Sequence, residues 1–308
     1  MQLVDGIRNL AHPLTSSILT IGNFDGVHLG HRALIERVVQ LAQNANLPSV
    51  VMTFEPHPLK LLHPERQIKR IFDFDDQRKC LEALGIDQLI VEPFSREFSQ
   101  VTADHYLSEW VVKPFSPRAV IVGYDFSFGS GRKGSIDFIR ARAVDMGFAV
   151  EVIPPVRVEG EICSSTHIRQ AVESGDVVLA NKLLGRRFYT EGLVERGAGR
   201  GRTIGIPTAN LRTTAELLPA QGVYAAVATT RTGVFKAVVN IGSNPTFVHS
   251  GQVTVEAHLL DFTEDLYGEH LRLEFIQRLR SERKFSGVDE LVGQIKSDIE
   301  IGRKVVVL

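Results

Sequence analysis

Residues 19–39 read LTIGNFDGVHLGHRALIERVV. The β-branched run SILTIG (17–22) predicts a strand, the turn after it carries Gly22, Gly26 and Gly30, and from Leu29 to about Ala45 apolar residues recur at helical spacing. A strand that runs through a glycine turn into a helix offers unpaired N–H groups and the positive end of a dipole to an anion. Phosphate is the anion such a turn favours. The glycines let backbone approach a ligand closely. His28 and His31 stand three apart, on one face of the first turn, where imidazoles can donate to phosphate oxygens and stabilise charge building on a pentavalent phosphorus. The competing reading is a turn histidine with a satisfied hydrogen bond followed by an ordinary helix residue.

The alternation continues outward from this stretch. SVVMTF (49–54), DQLIVEPF (87–94), RAVIVG (118–123) and FAVEVIPP (148–155) read as strands, and DDQRKCLEALG (75–85), TADHYLSEWVV (102–112) and Ser135 to about Met146 as helices. Strands apolar on both faces, taking turns with helices, argue a doubly wound parallel sheet that binds ligands at the carboxyl ends of its strands. After the helical pieces STHIRQAVESG and DVVLANKLLG the rhythm changes, and the boundary is expected at Leu184 to Arg187, giving domains 1–184 and 185–308. FYTEGLVERG, GVYAAVATT, FKAVVNIG, VTVEAHLLDF and LRLEFIQRLR alternate as the strands of a small antiparallel barrel, and GVDELVGQIKSDIEIGRKVV closes the pattern as an amphipathic helix.

Bulk properties narrow the function. The 308 residues suit two domains, and 35 Lys plus Arg against 36 Asp plus Glu give a formal charge of −1, so no global field draws nucleic acid or an anionic membrane. The start MQLVDGIRNLAHPL lacks the pattern of a signal peptide, and no apolar run reaches bilayer length, which makes the cytoplasm the expected location. Cys80 and Cys163 are too few for a disulfide framework or a zinc cluster, and Cys163 has no base at readable spacing, so it reads as packing.

GYDFSFGSGRKG contains a literal G-x-G-x-x-G at Gly129, Gly131 and Gly134. It is not a dinucleotide fingerprint, because five residues separate Gly123 at the strand end from Gly129, even though Glu151 offers an acid on a later strand. Nor is it a Walker A loop, since Ser135 follows Gly134 with no lysine between them.

GNFDGVHLGH resembles the His-x-Gly-His signature of the nucleotidyltransferase superfamily, in the form used by the bacterial bifunctional riboflavin kinase/FMN adenylyltransferase (FAD synthetase) family. TFEPHP (53–58), GYDFSFG (123–129) and SSTHIR (164–169) resemble that family's later adenylyltransferase motifs in order; GIPTAN (205–210), NIGSNPTF (240–247) and VEAHLLDF with LYG (255–268) resemble its flavokinase motifs. The resemblance implies an α/β Rossmann-like nucleotidyltransferase domain followed by a small antiparallel β-barrel riboflavin kinase domain with a C-terminal helix. It implies riboflavin, FMN and ATP as substrates, Mg²⁺ as cofactor and FMN and FAD as product ligands; with the formal charge of −1, no nucleic-acid or membrane partner is expected, and a monomer or weak homo-oligomer is the expected state.

The residue roles follow from the same resemblance. Gly22, Asn23, Phe24, Asp25, His28, His31 and Asp125 would contact nucleotide; Ser164, Ser165 and Thr166 would supply hydroxyls and a cap, and Arg169 a guanidinium fork, to the polyphosphate. Without the histidine motif SSTHIR would read as an N-cap beside an exposed arginine. Glu256 would be the general base that takes the proton of a ribityl hydroxyl, although alternation alone makes it a solvent-facing strand residue. Thr208 and Asn210 carry hard neutral oxygens suited to Mg²⁺, in a PTAN that by itself reads as a turn. The stretch RGAGRGR, with Gly199 and Arg202, and the following Gly205 read as a phosphate-cradling flap, or else as a scrap of RNA-binding composition. Asp125 stands where many relatives carry Asn, Asn244 where many carry Arg, and Arg187 where Pro is usual; the last is expected to alter only a linker turn. The alternatives to a bifunctional enzyme are a kinase with an inactive adenylyltransferase module and a non-catalytic flavin or nucleotide regulator.

Overall fold

The computed structural model describes all residues except Ala198, Arg200, Arg202, Thr203 and 244–252. Among the described residues two compact units form, Met1–Ser164 and Ser165–Leu308.

In the first unit, β1 (Gln2–Asp5), β2 (Ser17–Ile21), β3 (Ser49–Glu55), β4 (Gln88–Pro93), β5 (Pro117–Gly123) and β6 (Ala149–Ile153) form one parallel sheet in the order β1-β4-β3-β2-β5-β6. Side chains alternate across it. Leu19, Ile21, Met52 and Ile90 face one layer with Leu107, Val111, Phe115 and Ile139, while Ile18, Val51, Leu89 and Ile121 face the other with Leu34, Ile35, Val38 and Leu81. Such two-sided burial is why these strands are apolar throughout. The helices are α1 (Leu29–Ala45), α2 (Pro58–Leu62), α3 (Phe74–Ala83), α4 (Arg96–Ser99), α5 (Ala103–Tyr106), α6 (Lys113–Phe115) and α7 (Ile136–Met146). TADHYLSEWVV is helical as expected, but its middle, Leu107–Val112, takes a π-helical course between α5 and α6. The sequence reading passed over β1, a four-residue edge strand, and a small hairpin of β7 (Arg157–Val158) and β8 (Glu161–Ile162). Both are too short for periodicity to register. From β2 the order runs through β3 to β4 on one side and through β5 to β6 on the other. The switch point therefore lies between the carboxyl ends of β2 and β5.

In the second unit, α8 (Ser165–Ser174) and α9 (Val177–Leu184) precede a closed barrel of β9 (Tyr189–Glu195), β10 (Ala209–Thr213), β11 (Gly222–Thr229), β12 (Val234–Ser243), β13 (Val253–Leu259) and β14 (His270–Arg280), in the order β10-β13-β12-β11-β14-β9. The two helices group with the barrel by packing, ahead of the 184/185 boundary expected from the change in rhythm. Asn181 is one cause: its amide nitrogen donates to the Phe275 carbonyl at 2.8 Å and its oxygen accepts from the Phe188 N–H at 2.6 Å, which staples α9 to the barrel wall. Tyr224, Phe188 and Phe275 are buried, with ring centroids 5.5 and 6.1 Å from Phe275. The helix α10 (Val288–Val305) covers the outside of β11, β12 and β14. PTAN is not a free turn. Its last two residues open β10, because Ala209 and Leu211 are buried and the strand is paired on both sides. Arg187 does more than shape a linker: its guanidinium meets the Glu274 carboxylate at 3.3 Å and the Val307 carbonyl at 3.4 Å.

Candidate functional sites

In the first unit the site grows from the turn between β2 and α1. Gly22 donates its N–H to the Met52 carbonyl at 3.0 Å, and a Cβ there would meet the Phe24 ring at 2.9 Å. Phe24 (φ +50°), Gly26 (φ +79°) and Val27 (φ +38°) then turn the chain through the left-handed region, a conformation that costs a β-branched residue most. Burial of Phe24 and Val27 holds it there. The Asn23 carbonyl accepts from Gln77 Nε2 at 2.9 Å and from Thr53 Oγ1 at 3.3 Å. Asp25 is 3% exposed, and its carboxylate accepts the Ile71 N–H at 3.1 Å. The expected nucleotide contacts Phe24 and Asp25 are both buried within this turn.

His28 caps α1. Its Nδ1 accepts the His31 N–H at 3.3 Å, so in the neutral ring the proton resides on Nε2. The two imidazoles stack at 3.6 Å with 20° between their planes, and the Phe24 ring stands edge-on to His31 at 5.3 Å. Gly30 is the contact point beneath them: a Cβ would lie 3.1 Å from His28 Cε1 and 3.3 Å from the Cys163 carbonyl oxygen. Burial pushes the Cys163 thiol up, against a smaller opposing effect of a main-chain hydrogen bond from Gly30, consistent with a packing role.

Asp125 is exposed just beyond the end of β5, across the switch point from the histidine turn, with Oδ1 3.2 Å from where a Gly123 Cβ would be. The glycine-rich stretch is a closed loop, with Phe128 and Gly134 exchanging main-chain hydrogen bonds of 3.0 and 2.9 Å, and Glu151 is held by the Arg37 guanidinium at 2.7 and 3.0 Å. Neither matches a dinucleotide site. At the carboxyl ends of β3 and β4 stand Phe54 and Phe94, joined by Phe98, Tyr106 and, from the loop after β5, Phe126 and Phe128, at centroid spacings of 5.4 to 6.0 Å. The sequence reading missed this aromatic group, and also Gln77, because their partners are remote in the chain. Ser164 is half-buried at the end of the first unit; Ser165, Thr166 and Arg169 lie on α8 in the second.

In the barrel, Glu256 on β13 stands in register with Asn210 on β10 and Asn240 on β12. Val255, Ala257 and Leu259 are buried, so this polar row faces outward, half-buried. Asn240 lay within a quoted motif, but nothing local marks it; only strand register pairs it with Glu256. Gly197 lies against the Asn210 amide so closely that a Cβ would overlap it. Gly201 accepts the Ile206 N–H at 2.8 Å, and a Cβ on it would come within 3.3 Å of Thr208 Oγ1. Gly199 (φ +70°) and Gly205 (φ +75°) take conformations that favour glycine. Arg202 and Asn244 lie outside the described residues.

A family model described as FAD synthetase matches residues 11–167, and one described as riboflavin kinase matches residues 184–306. The bifunctional riboflavin kinase/FMN adenylyltransferase of Escherichia coli K12 is 38% identical over 300 residues, covering 97% of this chain and 96% of that protein. Its counterpart from Bacillus subtilis is 35% identical over 286 residues, covering 92% and 90%. A crystal structure described as a macrolide-efflux protein from Streptococcus pneumoniae matches with a TM-score of 0.88 and 33% identity, over 98% of this chain and 99% of that one. The histidine turn falls inside the FAD synthetase match and the Glu256 row inside the riboflavin kinase match, and the chain belongs to the bifunctional riboflavin kinase/FMN adenylyltransferase family.

Proposed function

We propose that this chain phosphorylates riboflavin to FMN with ATP in its barrel and adenylylates FMN with a second ATP, releasing pyrophosphate, through its parallel-sheet unit. The observation that carries the reading is the contrast between the two polar inventories. The barrel row presents the Glu256 carboxylate between two asparagines, whereas the turn presents stacked imidazoles and commits its own carboxylate, Asp25, to the Ile71 N–H.

That contrast matches the two reactions. A ribityl hydroxyl is a weak nucleophile and must lose a proton as it attacks the γ-phosphorus, which suits a carboxylate base at Glu256. The attacking oxygen of FMN belongs to a phosphate whose second pKa is about 6, so near neutral pH it has already lost its proton. The adenylyl site then has to stabilise charge and not to abstract a proton. His28 Nε2–H and His31 serve this at the reacting phosphates, with the α1 N-terminus beside them. Ser164, Ser165, Thr166 and Arg169 are assigned to the polyphosphate, and Gly22, Asn23, Phe24, Asp25 and Asp125 to the nucleotide. The half-buried rings of Phe54, Phe94 and Phe126, packed over the buried Tyr106 and Phe128, are assigned to the flavin. In the kinase, Gly199, Arg202 and Gly205 are assigned to the flap over the phosphates.

Thr208 and Asn210 fit Mg²⁺ as hard neutral oxygen donors. Among the described residues no group of three His, Cys, Asp or Glu side chains could hold a metal by itself, so the substrate phosphates would complete the shell. When bound, the ion would neutralise phosphate charge. We place the division between the activities at 184/185, where the riboflavin kinase match begins, and the enzyme in the cytoplasm as a monomer or weak homo-oligomer without a nucleic-acid partner. Among the described residues no helix is long and apolar enough to cross a membrane.

The test is a time course of purified protein with riboflavin, ATP and Mg²⁺, resolved by chromatography. FMN should appear first and FAD after it. FMN without FAD, also when FMN is supplied directly, would leave only the kinase; absence of both would overturn the reading.

A further inference from the structure

His258 lies two residues beyond Glu256 on β13 and on the same outward face, opposite Val238 of β12. Its Nδ1 sits 2.8 Å from the Pro207 carbonyl oxygen, 51 positions earlier in the chain. A carbonyl only accepts, so Nδ1 carries the proton and donates it. The position of that bond is informative. The ladder between β10 and β13 begins at the pair Ala209 and Ala257, so Thr208 stands just outside it, across from His258. Where the ladder stops, the imidazole takes over as the tie between β13 and the segment that leads into β10. One residue before Pro207, the Ile206 N–H donates to the Gly201 carbonyl at 2.8 Å. Pro207 has no N–H of its own to anchor it. Its carbonyl is therefore the group through which β13 can hold the backbone of Thr208 in place.

We propose that His258 is a positioning residue for riboflavin phosphorylation: through its Nδ1–H bond to the Pro207 carbonyl it fixes Thr208 relative to Glu256. It rests on the kinase reading of the barrel. Asparagine can place its Nδ2 near where the histidine has Nδ1, which separates loss of this hydrogen bond from loss of bulk.

The test compares wild type, His258→Ala and His258→Asn. Wild type must first make FMN from riboflavin; if it does not, the kinase reading fails and the comparison is not reached. His258→Ala should raise the KM for ATP in FMN formation roughly tenfold with a smaller change in kcat, as expected when a lost hydrogen bond lets a phosphate-binding segment drift. Conversion of supplied FMN to FAD should stay at the wild-type rate. Hydrogen–deuterium exchange of a peptide spanning residues 205–212 should speed up in the alanine variant, and His258→Asn should restore both the exchange rate and the KM. Wild-type KM and exchange in His258→Ala would overturn the proposal. So would equal losses in the alanine and asparagine variants, or a parallel loss of FMN adenylylation.

Discussion

Gly30 is a residue at which helix propensity and the site pull in opposite directions. Alanine in a helix is favoured over glycine by up to about 1 kcal/mol, yet a Cβ at Gly30 would press on the His28 ring at 3.1 and 3.2 Å and on the Cys163 carbonyl at 3.3 Å. The ring is the part that can move. Gly30→Ala should therefore keep the melting midpoint near that of wild type while slowing FMN adenylylation roughly tenfold, with riboflavin phosphorylation unchanged. Separate steady-state rates for the two half-reactions check this, and an unchanged adenylylation rate would show that Gly30 does not set the ring. The motif was legible at this scale because its residues are neighbours in the chain. The stacking of the rings and the choice of Nε2 as the proton-bearing atom came only with the turn's geometry.

At the scale of elements, α10 shows what periodicity leaves open. Its amphipathic stripe was readable, but its partner was not. Asp298 on α10 is 2% exposed and accepts the Arg280 guanidinium of β14 at 2.8 to 3.1 Å and the Gln294 amide at 2.7 Å. Asp298→Ala strands the arginine charge against the barrel and should cost about 3 kcal/mol, read as a lowered urea midpoint. The double variant Asp298→Leu with Arg280→Met should recover most of that loss, since no unpaired charge then remains; recovery absent in the double variant would mean the pair is not what joins helix to barrel. The strand β10 makes the complementary point. Five residues after a proline turn carry too weak a signal for a strand, and pairing with β9 and β13 supplies what the local sequence lacks.

For the whole molecule, the two inventories predict separable losses. Glu256→Gln should cut riboflavin phosphorylation by roughly 10² to 10⁴, the range for a lost general base, and leave FMN adenylylation intact. His28→Ala should do the reverse, by roughly 10². Mixed together, the two variants should again make FAD from riboflavin, because FMN released by one is a substrate for the other; chromatography that shows no FAD from the mixture would contradict two activities with separate catalytic residues.

The sequence by itself determined the alternation of the longer strands and helices in the first unit, the run of β-strands in the second, the histidine turn, and the family to which the motifs point, because these depend on spacings of a few residues that set helix, strand and turn directly. Tertiary structure alone decided which distant residues share a face. It aligned Asn210, Glu256 and Asn240 across three strands, tied His258 to Pro207, gathered the aromatic rings at the sheet's carboxyl edge, and grouped α8 and α9 with the barrel. The physical reason is common to all four: strand register and helix docking are fixed by burial and hydrogen bonding between segments far apart in the chain, and no local pattern encodes the partner.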